Sequence, residues 1–192
     1  MQVNVQLDEQ GYLPDTYGKF SAEADQGAGM CLRSFPFEVT DVPQGTRTLA
    51  WIFMDWDSMP VCGFPWMHWC AYQTGIEGDT VLFTDDVSRP STGSTSRGSA
   101  CPGDTVLFAD DVSRLGQPGL FQGYNSAAKR DPEFGVGYEG PCPPNADHVY
   151  TMHVVALDVE LDLAAPFWAN ELVQACRGHV LGEAVTLLPS RS

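Results

Sequence analysis

Residues 48–72 read TLAWIFMDWDSMPVCGFPWMHWCAY, two apolar runs joined by a polar, Pro- and Gly-containing link. The first run, Arg47–Met54, is almost unbroken in apolar side chains, the pattern of a central strand covered on both faces. The second, Trp66–Gln73, reads as another buried strand. Asp55 and Asp57 follow the first run two positions apart. If strand geometry continues past Met54, both carboxylates face one side. Like charges in that position persist only where something positive or hydrogen-donating faces them. His68 is the first titratable residue of the second run, between Met67 and Trp69.

Outward from this pair, the chain supplies further strands and few helices. SFPFEV places a short strand around Phe35–Val39, and Pro43–Gly45 marks a turn. Val149–Val159 (VYTMHVVALDV) is a third strong buried strand. Pro166 suits the first turn of a helix, with Leu172, Val173 and Cys176 on one face. HVLGEAVTLL continues as a second short helix or a terminal strand. Strands not separated by regular helices, joined by long Gly/Pro connections, describe an antiparallel or mixed β domain with α decoration. A single domain over residues 1–192 is expected. Within it, GDTVLFTDDVSR at 78–89 recurs as GDTVLFADDVSR at 103–114, around a small polar linker. The 78–114 region reads as a local duplication or loop insertion. Its paired acids, Asp85–Asp86 and Asp110–Asp111, lack the alternating oxygens and Gly of a calcium loop and read as solvated turn acids.

Ten Lys and Arg stand against 25 Asp and Glu, a formal net charge of −15. Such a surface repels nucleic-acid phosphates and anionic lipid headgroups at long range, so neither is expected as a partner. The N-terminus lacks the basic and apolar regions of a signal peptide, and no segment is long and apolar enough to span a bilayer. A cytoplasmic location is expected. The six cysteines (31, 62, 70, 101, 142 and 176) show no CxxC pair and read as free thiols.

Alternation along the third strand places His148 and Tyr150 on one face and His153 on the other. Taken singly, these features are bland. A strand histidine is commonly a hydrogen-bonded core residue, GPCPP a rigid turn, and Trp56, Trp66 and Trp69 packing residues. In one order they are specific. WIFMDWDSM with MHW, then YEGPCPPNADHVYTMHVVALD and GHVLGEA, resembles the phosphatidylethanolamine-binding protein family, which includes the Raf kinase inhibitor protein. SFPFEVTDVPQGTRTLA and GYLPDTY extend the likeness, which is greatest to the bacterial and archaeal branch and runs from about Gly11 to Glu183.

The resemblance implies a large central β-sheet of Greek-key type packed on a smaller sheet, with a helix near the C-terminus. It also implies a small surface pocket lined by Asp55, Asp57, His68, Gly140, Pro141, Pro143, His148 and Tyr150. This pocket would accept an anionic or zwitterionic ligand such as a phosphate-ester headgroup, and the module could regulate a protein partner and form a homodimer. A carboxylate beside a histidine favours the imidazolium, which offers two donors to an anion, while the surplus acid suits an ammonium. The chain departs from the family in Asp-Trp-Asp-Ser-Met for Asp-Pro-Asp-Ala-Pro, which puts Trp56 at the pocket mouth. It also has His-Val-Tyr for His-Arg-Tyr at 148–150, which removes a surface cation. The alternative is an acid–base or metal-assisted enzyme acting on a small phosphoester or carbonyl compound through the same Asp/His cluster. No activated nucleophile, phosphate loop or zinc motif is present, so no catalytic residue, cofactor or resident metal is assigned.

Overall fold

The computed structural model describes residues 1–76 and 104–192. The first copy of the repeat, with Asp85, Asp86 and Cys101, lies outside the described residues. The strands are β1 (Gln2–Asn4), β2 (Gln26–Gly27), β3 (Met30–Cys31), β4 (Phe37–Val42), β5 (Thr48–Asp55), β6 (Trp66–Thr74), β7 (Asp104–Phe108), β8 (Leu120–Gln122), β9 (His148–Leu157) and β10 (Val180–Ser190). The α-helices are α1 (Met59–Cys62), α2 (Val112–Leu115) and α3 (Ala169–Cys176). The fold is mainly β with helical decoration, as expected.

β5 is central because its sequence can be buried on both sides. The large sheet runs β10-β9-β5-β6-β8 and the smaller one β1-β4-β7, with every described pairing antiparallel. Leu49, Trp51 and Phe53 on one face of β5 meet Phe37 and Val39 of β4 and Val106 and Phe108 of β7. The core between the sheets is aromatic. Phe37 stacks on Phe108 at 4.3 Å, and Trp51 meets Trp69 edge-on at 5.1 Å. Each such ring contributes about 1.5–3 kcal/mol by leaving water. On the other face, Ala50 joins Cys70, Tyr72, Phe167, Leu172 and Cys176 under α3.

Of the two readings of HVLGEAVTLL, the terminal strand is the one observed: it runs into β10, an edge strand paired with β9 over nearly its whole length. Two local expectations are corrected. α3 begins at Ala169, beyond Pro166, where the Glu171 carboxylate accepts the Trp168 N–H at 2.7 Å. The second copy of the repeat supplies β7 and α2, and its acids are paired rather than simply solvated. Asp110 accepts from Arg33, Asp111 accepts from Arg114 at 2.6 Å, and Asp25 bridges both arginines. Those arginines hold the Asp25 carboxyl below the usual range.

Candidate functional site

Antiparallel pairing brings the end of β5 against the starts of β6 and β9. Asp55 is the cross-strand partner of both Trp66 and Tyr150. Alternation along β9 carries His148 to the same inward face as Tyr150 and turns His153 outward. His68 arrives differently. Phe53 pairs with Trp69 and Met54 with Met67, so His68 is the extra residue of a β-bulge. The bulge turns His68 inward beside Trp69, and its ring lies 5.0 Å from Tyr150 and 5.7 Å from Phe53.

The polar groups here are tightly partnered. His148 Nδ1 donates to Asp55 Oδ2 at 2.7 Å, with the two side chains only 3% and 5% exposed. The Ser58 N–H donates to Asp55 Oδ1 at 3.2 Å. The Ser58 hydroxyl faces the Asp55 and Phe64 carbonyls and accepts the Trp66 N–H, which ties the β5–β6 link to the strand ends. His68 Nδ1 lies 2.7 Å from the Glu139 carbonyl oxygen. Burial pushes its imidazole down to about 4, so the ring is neutral near pH 7. This corrects the expectation of an imidazolium at His68. Burial, then the Asp55 charge, pushes the Tyr150 phenol up and keeps its hydroxyl a donor.

These side chains line a cavity of about 250 Å³ with Met30, Ser58, Val61, Cys62, Trp66, Arg130, Cys142 and Pro144. Of the eight residues expected there, Asp55, His68, His148 and Tyr150 come together at its surface. Asp57 does not. β5 ends at Asp55, alternation ends with it, and the exposed Asp57 carboxylate instead accepts the Val149 N–H at 2.9 Å, fastening the start of β9. Trp56 is exposed and also absent from the lining, so it does not block the mouth.

Gly140, Pro141 and Pro143 form the supporting turn behind the wall. The Gly140 N–H donates to the Cys31 carbonyl at 2.7 Å, and a Cβ at Gly140 would come within 2.6 Å of the Tyr17 carbonyl oxygen. Pro143 offers its carbonyl to Lys19 at 3.2 Å, while Cys142 and Pro144 face the cavity.

Sequence reasoning missed two residues with a direct bearing on the chemistry. Trp66, read as packing, forms a wall and donates its Nε1–H to Glu139 Oε2 at 2.8 Å. Arg130 comes from the Gly/Pro-rich segment and supplies a cation that position 149 lacks. Its guanidinium lies 5.5 Å from the Trp66 ring centre and 3.7 Å from Glu139 Oε1. Among the described residues, no three His, Cys, Asp or Glu side chains are placed to hold a metal ion. No helix among them is long and apolar enough to cross a membrane.

The comparisons agree with this fold. The sequence profile described as phosphatidylethanolamine-binding protein matches residues 4–188. An uncharacterized protein, YxkA, from Bacillus subtilis is 34% identical over 98% of this chain and 99% of its own length. A UPF0098 protein from Methanothermobacter thermautotrophicus is 30% identical over 78% of this chain and 76% of its own. Among solved structures, a putative phosphatidylethanolamine-binding protein homolog, CT736, from Chlamydia trachomatis superposes with a TM-score of 0.64 at 23% identity. E. coli YbcL, described as a new member of the mammalian PEBP family, gives 0.64 at 20% identity. Each covers 100% of this chain and 98% of the matched one, and at that identity the likeness speaks for the fold.

Proposed function

The chain belongs to the phosphatidylethanolamine-binding protein family, and we propose that it is a binding module whose cavity takes a small anionic or zwitterionic phosphate ester. The observation that carries this reading is the convergence of Asp55, His68, His148 and Tyr150 on one cavity from three different strands. A buried carboxylate and two imidazoles cost desolvation energy that an apolar core would not incur, so a ligand-binding role accounts for their place. Ser58, whose N–H donates to Asp55, has its hydroxyl held among backbone groups rather than against a base, which favours binding over nucleophilic catalysis.

The proposal also carries a cytoplasmic setting, regulation of a protein partner by the module, and a homodimer. The dimer is supported by the edge position of β10 among the described strands and by its exposed Val185 and Leu187. Its test is sedimentation of the wild type against Val185→Glu, which should shift the mass towards monomer. For the cavity, the test is thermal unfolding across millimolar phosphoethanolamine. A ligand at about 100 times its Kd adds about 2.7 kcal/mol to the folded state. Stabilisation that disappears in His148→Gln supports the site, and equal stabilisation of both proteins refutes it.

A further inference from the structure

One side of the small sheet is filled by a sequence that the chain carries twice. GDTVLFADDVSR at 103–114 supplies β7 and α2, and GDTVLFTDDVSR at 78–89 precedes it. The slot it fills is built around particular side chains. Val106, Phe108 and Val112 are each no more than 3% exposed, and Phe108 stacks on Phe37 and meets Trp51 edge-on at 4.9 Å. Asp110 accepts from Arg33 Nε at 3.1 Å, and Arg114 donates to Asp25 at 2.7 Å. The Ser113 hydroxyl donates to Gln122 Oε1 at 2.7 Å and accepts the Tyr138 N–H at 2.9 Å. In the first copy the same positions hold Val81, Phe83, Val87, Asp85, Arg89 and Ser88. Each of these side chains that fix the second copy is therefore present in the first. The single difference, Thr84 for Ala109, falls where Ala109 lines an open cavity of about 560 Å³, which has room for a hydroxyl.

We propose that this slot is a docking site for either copy, so that the chain exchanges between two registers, one with 103–114 against β4 and one with 78–89 in its stead. β7 is the outermost strand in the order β1-β4-β7, so exchange opens a single ladder. That ladder is made of backbone hydrogen bonds, which an added strand of matching sequence repeats. The entry suits both registers. The Ile76 N–H donates to the Arg47 carbonyl at 3.2 Å, just beyond the turn at Pro43, and Val42 before that turn is the partner of Asp104 at the start of β7. In the second register Glu77 and Gly78 are enough to lead from here into the slot. The exit is held in place by Gln117, which donates to Gln73 at 2.6 Å. One register bypasses residues 78–102 and the other residues 90–114, stretches of equal length, so the loop-closure cost is the same. The registers differ by one half-buried side chain, and both are populated.

Thermal unfolding of alanine variants tests this, because interchangeable occupants mask each other's loss. Phe83→Ala and Phe108→Ala should each lower Tm by only about 1–2 °C, the loss of one of two similar registers. Phe83→Ala/Phe108→Ala should lower it by roughly 10 °C, the effect of truncating a buried phenylalanine. Deleting 78–102 removes the choice, and in that background Phe108→Ala alone should show the full drop. Hydrogen exchange read by mass spectrometry identifies the occupant. In Phe108→Ala, protection should pass from 105–108 to 80–83.

A full drop for Phe108→Ala with none for Phe83→Ala would overturn the proposal, as would a double variant no less stable than the singles. Failure of the deleted chain to fold would overturn the direct entry from Glu77 on which the second register depends. Protection of 80–83 that appears only in dimers and fades on dilution would also overturn it, by placing the first copy in the slot of a second chain.

Discussion

The two sides of the large sheet each hold a cavity of nearly the same size, about 250 Å³ at the strand ends and about 230 Å³ beneath α3. Their chemistry differs. At the strand ends, buried Asp55, His68, His148 and Tyr150 converge. Beneath α3 the lining is largely aliphatic, Ile52, Val155, Leu172 and Val180 among it. Its polar members sit at the margin, where His153 pairs with Glu183 across β9 and β10 at 3.1 Å, the side chains 41% and 67% exposed. Volume therefore does not distinguish a site from a gap left by a three-dimensional fit. Buried polar groups do, because folding alone gives them no return for the water they lose.

The sharpest break of this contrast is Asp55→Ala. It leaves the buried His148 Nδ1 and the Ser58 N–H without their acceptor and should cost about 2–6 kcal/mol in denaturant unfolding, at about 1–3 kcal/mol for each unsatisfied group. A loss below about 1 kcal/mol would mean that the strand-end cavity is as wet as the margin of the other.

Acid comes next. The folded-state pKa of His68 is lowered from 6.5 to about 4, so the unfolded chain binds the extra proton first. This contribution leaves stability intact above pH 6.5 and removes it progressively as pH falls towards 4. The full difference is about 3 kcal/mol. His68→Gln should flatten that part of the stability–pH curve, whatever its effect at neutral pH.

Filling the second cavity with Val155→Leu should change stability by less than about 1.5 kcal/mol and leave phosphoethanolamine stabilisation unchanged. Loss of that stabilisation would move the site to the wrong side of the sheet. The smallest effect is expected for Glu183→Gln, under about 1 kcal/mol and diminishing with salt, since the pair it breaks is exposed.

Much of the frame was legible because burial leaves a mark on composition. The TLAWIF run reads as a strand covered on both faces, and the alternation in HVYTMHVV by itself separates His148 and Tyr150 from His153. The motif order carried the family. What could not be read was where regularity stops. Asp57 looked equivalent to Asp55 because alternation gives no sign of the residue at which a strand ends. His68 reaches the cavity through a bulge that no period-2 pattern encodes. Arg130 lies far along the chain from Trp66, and an exposed arginine in a Gly/Pro-rich segment looks like any solvated charge. HVLGEAVTLL was ambiguous for a different reason. A short apolar run fits a helix face or an edge strand equally well, and only the long partner β9 decides.

The most direct test is a ring-nitrogen NMR spectrum of the histidine-labelled protein, recorded while glycerophosphoethanolamine is added. The four histidines report separately: His68 and His148 line the strand-end cavity, His153 lines the one beneath α3, and His179 pairs with Asp158 elsewhere. The account predicts that the His68 and His148 resonances move together and saturate while His153 and His179 stay fixed. Movement of His153 with His68 and His148 unchanged would contradict it.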